Sequence, residues 1–274
     1  MTTYGFTDIN TNYNNVNSSY IESQFNNGSL YVNYRGIQGV SGFDPEDVMD
    51  DLNNYTKHPF ATFLTCDTGS FDSGQYSLSE TLFRAGDTPN QPVGAIAAVG
   101  SSTIYTHTAF NNIIDMGMYE GIFVHHNYTA GEALAYGKLV LASTYPSNPN
   151  NNVEMFSYWN NLMGDGSTHL WTDTPEYLLV SHVEEIQVGT NMVQIEVIDV
   201  DGLGVENAFV TFLKGNDEIF KSEYTDSNGN VMISFPSSSS GEIIVTVVKH
   251  DYKPSQTIIN IIDNDISLSL PENN

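Results

Sequence analysis

The chain has 274 residues, of which 40% are hydrophobic and 15% charged, and this apolar content is enough for a sizeable core and excludes a disordered chain. Eight Lys and Arg against 33 Asp and Glu give a formal charge of -25, which repels phosphate backbones and anionic lipids, so we expect no nucleic-acid partner and no docking on membranes. The sequence contains no run of 18 apolar residues, which is the length a membrane-spanning helix needs, so we expect no membrane insertion.

The first part of the chain alternates buried strands with helices. Strands are predicted at residues 28–35, 60–65 and 93–99, because each is a short apolar run rather than an alternating one. Acidic or hydroxyl caps open helices at Asp44, Ser77 and Thr129. Two more helices are predicted at residues 110–123 and 153–163. This order predicts an α/β fold, with a parallel sheet covered by helices on both faces.

The second part, from about residue 181, reads as short strands separated by turn signals. The strand candidates lie at residues 193–197, 208–213, 231–235, 242–248 and 256–262. Regular short strands of this kind are typical of an antiparallel, immunoglobulin-like β-sandwich. We therefore expect two domains, an α/β domain over residues 1–180 and an all-β sandwich over 181–274.

The one cysteine, Cys66, is the first candidate for chemistry. It follows the predicted strand 60–65, and loops at the carboxyl ends of parallel strands are where α/β proteins place their functional groups. A thiol there can act as a nucleophile, with nearby backbone N–H groups stabilising an oxyanion. The alternative is that Cys66 is simply packed, since cysteine is among the residue types most often buried.

A nucleophilic thiol needs a base. Of the seven histidines, only His107 follows a predicted strand onto the same rim as Cys66, while His58 precedes the strand 60–65 and belongs at the opposite end. The alternative for His107 is local capping or hydrogen bonding. The adjacent pair His125 and His126 resembles a metal pair, but neighbours on a helix point apart, so surface positions are expected.

Two acidic turns, beginning at Asp199 and Asp226, suggest calcium as a structural ion. Neither has the spacing of a complete calcium-binding loop. Both are also explained as tight hairpin turns, in which Asp-Gly and Asn-Gly are favoured because these residues tolerate positive φ. The identity of any metal ligands stays open, and no cofactor is required.

Several segments resemble the gingipain-type cysteine peptidases. Residues 60–71 (FATFLTCDTGSF) resemble the nucleophile segment of that family, in which a strand ends in Cys, followed by two residues, Gly, one residue and Phe. Further matches, in the family's order, are at residues 32–36 (VNYRG), 110–112 (FNN), 162–166 (LMGDG) and 171–175 (WTDTP). The resemblance spans nearly the whole chain and implies a caspase-like catalytic domain followed by an Ig-like domain.

The resemblance also implies a function. Cys66 occupies the nucleophile position of a secreted or cell-surface endopeptidase acting on a protein or peptide, with backbone N–H groups near Gly36 and Cys66 holding the oxyanion. Calcium is often bound in this family. Compared with the family, the sequence starts inside the catalytic domain, so we expect the upstream half of the same protein to be missing from this chain.

One departure concerns the catalytic histidine. The family carries His-Gly directly after the Asn-Tyr-X-Gly strand, but this chain has Ile37 in that place. Isoleucine cannot accept a proton, which leaves His107 as the candidate substitute base. The alternative function is a non-catalytic homologue that binds proteins or glycans or anchors a larger assembly. Ile37 favours this alternative, whereas the intact Cys66-Asp67-Thr68-Gly69 segment favours the enzyme.

Overall fold

The protein is described as a computed structural model that divides into two compact units, Met1–Thr172 and Asp173–Asn274. This division lies before the boundary predicted after residue 180. The reason is that residues 176–181 form two short strands, and both pair with strands of the second unit. The structure describes residues 6–13, 17–36, 44, 48, 50–72, 74–86, 91–105, 107–215 and 217–263.

The described part of the first unit contains a four-stranded sheet in the order β1-β2-β3-β4. Its strands are β1 (Tyr31–Tyr34), β2 (Phe60–Phe63), β3 (Ala97–Ser101) and β4 (Asn160–Met163). β1, β2 and β3 are parallel, as predicted, and β4 runs antiparallel to β3. The predicted helix at 153–163 was wrong in its second half, since those residues pair with β3 as an edge strand.

Five α-helices are fully delimited within the described residues. They are α1 (Ser18–Asn27), α2 (Leu78–Arg84), α3 (Thr108–Val124), α4 (Ala130–Thr144) and α5 (Asn152–Trp159). Both predicted capping boxes are present, at the starts of α2 and α4. The helix predicted to open at Asp44 is described only in part: the Val48 N–H donates to the Asp44 carbonyl oxygen at 3.3 Å, and residues 45–47 lie outside the described ranges.

Side chains alternate between the two faces of this sheet, and helices cover both faces, as predicted. Phe60 and Leu64 face one apolar cluster, together with the buried side chains of α3, α4 and α5. Ala61 and Phe63 face a second cluster with buried residues of α1 and α2. The sheet is therefore the middle layer between helices. Side chains and loops can leave the apolar core at the carboxyl ends of its strands.

The second unit is a two-sheet β-sandwich in its described residues, with sheet orders β10-β9-β12-β14-β7 and β11-β8-β6, and a two-stranded ladder of β13 and β5. The strands are β5 (Glu176–Tyr177), β6 (Leu179–Ser181), β7 (Glu185–Gln187), β8 (Gly189–Ile198), β9 (Phe209–Lys214), β10 (Ile219–Tyr224), β11 (Asn230–Ser237), β12 (Gly241–Val248), β13 (Tyr252–Lys253) and β14 (Ser255–Ile262).

Inward-facing residues of both sheets form one apolar core in this unit. β8 contributes Val193, Ile195 and Val197, which are every second residue, as the period-two pattern predicted. All five strands predicted from the sequence are present in this unit, as β8, β9, β11, β12 and β14. The sequence analysis missed β5, β6, β7, β10 and β13. The β10 strand buries only Ile219, so its sequence carries no alternating apolar signal.

Candidate functional site

Cys66 lies at the carboxyl end of β2, three residues beyond the last strand residue Phe63. It is partly exposed. Directly after it, Asp67 has a left-handed backbone with φ of 61°, a conformation that Asp tolerates better than most residues. The chain therefore bends sharply at the thiol. This bend agrees with the prediction that the thiol is placed at the mouth of a parallel strand.

Residues 66–70, the Cys66 bend, are held on β3 by backbone hydrogen bonds. The Asp67 N–H donates to the Thr103 carbonyl oxygen at 2.9 Å, and the Gly69 N–H donates to the Ser101 carbonyl oxygen at 3.0 Å. The Ser101 N–H in turn donates to the hydroxyl oxygen of Thr68 at 3.3 Å. These contacts bind the bend to the end of the neighbouring strand and limit its movement.

The same bend is also anchored to helix α2. The backbone N–H of Ser79, in the first turn of α2, donates to the Thr68 carbonyl oxygen at 2.9 Å. This N–H is one of the helix N-terminal donors that have no partner inside the helix. The bend thus supplies a hydrogen-bond acceptor to the first turn of α2, and the same hydrogen bond holds the bend in place.

The segment after Cys66 needs a glycine at position 69 because the backbone of β3 lies very close there. A Cβ atom added at Gly69 would lie 2.6 Å from the backbone carbonyl carbon of Gly100 in β3. Backbone atoms cannot yield as a flexible side chain can, so only glycine permits this close approach. The glycine of the Cys-Asp-Thr-Gly segment therefore allows the bend to pack directly against the backbone of β3.

Gly36 and Cys66 lie at the same edge of the sheet. The parallel register pairs Tyr34 with Phe63, and just beyond these residues the Arg35 guanidinium donates to the Leu64 carbonyl oxygen at 2.9 Å. Gly36 is thus the next residue after a direct link between the two strand ends. Ile37, which occupies the family's histidine position, lies outside the described residues.

A polar network links these strand ends to α3. The buried carboxylate of Asp115 accepts hydrogen bonds from the Asn33 side chain at 3.0 and 3.1 Å and lies 3.8 Å from the Arg35 guanidinium. Burial raises the pKa of Asp115, while the hydrogen bonds of Asn33 and the charge of Arg35 act in the opposite direction. Burial also lowers the pKa of Arg35, and the Asp115 charge opposes that shift.

Sequence reasoning missed Asp115 altogether and used Arg35 and Asn111 only as parts of family motifs. A signal was available in α3. Asn111, Asp115 and Tyr119 recur every four residues, beside the apolar stripe of the same helix. Polar residues at helical spacing next to a buried face indicate polar partners across the interface.

His107 is the N-cap of α3, and this is the local capping role that was its alternative interpretation. Its Nδ1 accepts a hydrogen bond from the Ala109 N–H at 3.3 Å, and its ring packs edge-on against Phe110. An acceptor Nδ1 in a neutral imidazole places the proton on Nε2. In this conformation Nε2 has no lone pair with which to accept a thiol proton, so a base role requires His107 to leave the cap.

Three other histidines of the α/β unit make contacts of their own. His58 Nδ1 lies 3.4 Å from the Gly94 carbonyl oxygen, before β3, which agrees with its expected place at the opposite edge. His125 packs on Tyr136, and His126 lies 2.5 Å from the Tyr128 hydroxyl. Within the ranges that the structure describes, no group of three or more His, Cys, Asp or Glu residues could hold a metal ion.

The two acidic turns of the sandwich use their carboxylates internally. Asp199 Oδ1 accepts the backbone N–H groups of Asp201 and Leu203 at 3.0 and 2.8 Å. Asp226 Oδ1 accepts those of Asn228 and Asn230, both at 2.9 Å. These contacts are those of the tight turns that the sequence offered as the alternative to calcium binding.

The chain was also compared with known proteins. A model of peptidase family C25 matches residues 2–171. No curated protein matches the chain. In the part of the chain that the structure describes, no helix is long and apolar enough to cross a membrane.

Solved structures share this fold. The chain is 22% identical to the Arg-specific cysteine proteinase gingipain R, with a TM-score of 0.80, covering 95% of this chain and 60% of that one. A complex of the pro- and mature domains of RgpB from Porphyromonas gingivalis gives 22% identity and a TM-score of 0.81, covering 95% and 61%. A further protease gives 18% and 0.74, covering 95% and 60%.

This chain therefore spans about 60% of the length of these solved relatives. At such low identity, the structural likeness establishes the fold, and it agrees with the predicted gingipain-like α/β domain followed by an all-β unit. The family model covers well over half of the chain and includes the Cys66 bend. The chain belongs to peptidase family C25.

Proposed function

We propose that this chain carries a cysteine endopeptidase site in which Cys66 is the nucleophile. The observation that carries the proposal is the partly exposed thiol at the carboxyl end of β2, in a bend held by β3 and α2. A nucleophile on a rigid support keeps its position as charge develops during the reaction. Membership of peptidase family C25 supports the same function.

The reaction is an acyl transfer in two steps. The Cys66 thiolate attacks a peptide carbonyl carbon, a C–S bond forms, and the carbonyl π electrons move onto oxygen. Backbone N–H groups near Gly36 and Cys66 would stabilise this oxyanion. Its collapse breaks the C–N bond, and the amine leaves with a proton. Water then attacks the thioester, releases the acid and restores the thiol.

The reaction also needs a group that accepts the proton of the Cys66 thiol. Ile37 cannot supply it, and His107 is the substitute at the same edge. For this role His107 must release the Ala109 N–H and place a lone pair on Nε2. We propose that the cap is exchanged for contact with the thiol when a peptide is bound.

The test is covalent labelling of the chain with a panel of peptidyl chloromethyl ketones that differ in the residue before the reactive carbon. We expect saturable alkylation, mapped by mass spectrometry to Cys66 and absent in Cys66→Ser. Peptide hydrolysis should be lost in the same variant. Labelling that is no faster than that of a model thiol with every member of the panel would overturn the proposal.

A second candidate function is a non-catalytic homologue that binds a protein or glycan. The observations that favour it are Ile37 at the histidine position and His107 engaged as a helix cap. It predicts that peptides bind without turnover and that Ile37→His raises the alkylation rate of Cys66. An Ile37→His variant that folds and labels at the wild-type rate would show that the alignment of the catalytic histidine is wrong.

We also propose a secreted or cell-surface location and a protein or peptide substrate. The acidic composition with one cysteine and the family membership support this setting. The chemistry proposed for Cys66 needs no cofactor. Calcium as a structural ion stays a proposal, to be tested by comparing thermal unfolding with calcium and with a chelator.

A further inference from the structure

We propose that Arg35 and Asp115 are positioning residues that fix the spacing between Gly36 and the Cys66 thiol. The inference rests on the proposed function, because it assigns a purpose to a polar network beside that site. It concerns two side chains that do not act on substrate in the mechanism above. Together we call them the Arg35–Asp115 clamp.

The clamp connects the two strand ends that carry the site. Arg35 precedes Gly36, and its Nη1 donates to the carbonyl oxygen of Leu64, two residues before Cys66. The Asn111 side chain donates to the same carbonyl oxygen at 3.4 Å. The Leu64 carbonyl group thus has one donor from the residue after β1 and one from α3, so a shift of the end of β1 or of α3 would break a hydrogen bond.

Asp115 holds the guanidinium in this position. It lies in the middle of α3 and is 6% exposed. Its carboxylate lies 3.8 Å from Arg35 Nε and accepts both hydrogen bonds of Asn33, the residue of β1 two positions earlier. Arg35 also donates to the Asn112 side chain. A planar guanidinium with several fixed acceptors has little freedom to change its orientation.

This arrangement has an energetic cost that packing alone does not require. Burying a carboxylate and partly burying a guanidinium is expensive, and apolar residues of similar volume often give an equal or more stable core. The raised pKa of Asp115 reflects the same cost. Apolar contacts, however, would hold α3 on the sheet without setting the distance between two backbone segments. Directional hydrogen bonds set that distance.

The experiment compares Arg35→Gln, Arg35→Lys and Asp115→Asn with two matched controls at exposed positions, Glu120→Gln on α3 and Arg84→Gln on α2. Two alkylation rates of Cys66 are measured for each protein. The peptidyl chloromethyl ketone rate depends on the oxyanion site, whereas the iodoacetamide rate depends only on the thiol. Hydrogen exchange of the amides at residues 64–66 is followed in parallel.

Arg35→Gln and Asp115→Asn should lower the ratio of the two rates by about 10- to 100-fold, as expected for a small misplacement of reacting groups. Exchange at residues 64–66 should accelerate, and both controls should match wild type. Arg35→Lys should give an intermediate rate ratio, because its ammonium group keeps the charge but lacks the planar set of donors of the guanidinium. It also serves as the test if Arg35→Gln fails to fold.

Three results would overturn the clamp: an unchanged rate ratio, an equal loss of both rates, or unchanged exchange at residues 64–66. Failure of the proposed function looks different, since the wild-type protein itself would then show no preference for the chloromethyl ketone. In that case exchange decides, and acceleration in Arg35→Gln but not in Arg84→Gln would still support a clamp on the Cys66 bend.

Discussion

The α/β unit and the β-sandwich treat buried polar groups in opposite ways. Among the described residues of the sandwich, the buried polar side chains are Lys214, Thr225 and Ser237, and each has hydrogen-bond partners. In the α/β unit, several buried polar atoms lack a partner among the described residues. These atoms belong to Thr65, Ser79, Thr81, Ser101 and Asn160.

The unsatisfied atoms are concentrated near the proposed site. Thr65 precedes Cys66 in the chain, and Ser101 and Ser79 contact the Cys66 bend through their backbones. A buried polar atom without a partner costs free energy, so a unit built for stability alone would avoid it. The comparison teaches that the α/β unit accepts such costs at the edge proposed to carry its chemistry, whereas each buried polar side chain in the described part of the sandwich has a partner.

The largest effect expected is on the apolar core of the sandwich. Phe212→Ala removes a fully buried ring that packs edge-on against Phe235, and it should lower the free energy of unfolding by about 3–5 kcal/mol. Urea unfolding followed by circular dichroism measures the loss. Phe220→Ala, at a position 64% exposed, is the control and should change stability by less than about 0.5 kcal/mol. Equal losses for both variants would contradict the comparison.

The next effect tests the close contact at the Cys66 bend. Gly69→Ala forces a methyl group against the Gly100 backbone and should cost about 1–3 kcal/mol, together with a changed iodoacetamide rate at Cys66. Tryptophan fluorescence reports this unit, because both tryptophans, Trp159 and Trp171, lie in it. Gly166→Ala, in the same unit, is the control, because the added atom would make only an ordinary contact of 3.7 Å with the Gly131 backbone. A stable Gly69→Ala protein with wild-type labelling would show that the bend is loosely held.

Asp115 should give the α/β unit a pH dependence of a definite sign. Its pKa is raised in the folded protein, where Arg35, Asn33 and Tyr119 face it, so the folded state binds the proton more tightly than the unfolded state. Its contribution to stability is therefore greatest below its unfolded pKa and falls as the pH rises through the folded pKa. Asp115→Asn removes this titration.

The stability of Asp115→Asn relative to wild type should accordingly increase with pH across that range. Fluorescence-detected unfolding at a series of pH values measures it, with Glu120→Gln as the control. A relative stability that falls with pH would reverse the assigned direction of the shift and contradict the cost attributed to burial.

Glu218 should show the opposite dependence in the sandwich. Hydrogen bonds from Lys214 and Ser239 lower the pKa of Glu218 to about 2, so the carboxylate stabilises the folded state above its unfolded pKa. This stabilisation is lost as the pH falls toward 2. Glu218→Gln should be less stable than wild type at pH 7, and the difference should disappear in acid. The exposed Glu223→Gln is the control, and a pH-independent difference for Glu218→Gln would contradict the prediction.

The smallest effect concerns His107. Asn is a good N-cap, so His107→Asn should change stability by less than about 0.5 kcal/mol, whereas His107→Ala should cost about 1 kcal/mol. The pair separates capping from catalysis, because Asn keeps the cap but removes the imidazole. Full peptidase activity in His107→Asn would eliminate His107 as the base, and loss of activity without loss of stability would support it.

Local signals predicted much of the architecture. The capping boxes at Ser77 and Thr129 were read from residues three positions apart, and both are present. The alternating pattern of β8 predicted the inward face of the sandwich. Strand β4 was missed because residues 153–163 carry one continuous helical pattern, and only pairing with β3 ends the helix at Trp159.

The candidate site was predictable only in part. Cys66 and its bend follow from a strand end, an aspartate and a glycine that are adjacent in the chain. The Arg35–Asp115 clamp could not be read in this way, since Asn33 and Asp115 are separated by 82 positions. The capping role of His107 was foreseen as an alternative, but the choice required the hydrogen bond to Ala109.

Local sequence was enough to predict most of the long helices and strands, several turns and the place of the thiol at a strand end, because these depend on interactions within a few residues. Tertiary structure decided which strand ends meet, since the parallel register of β1 and β2 places Arg35 beside the Leu64 carbonyl group. It also decided the environment of Asp115, because burial and the approach of Asn33 and Arg35 arise only when α3 packs on the sheet. Local preferences act along the chain, whereas desolvation and register depend on packing between distant segments.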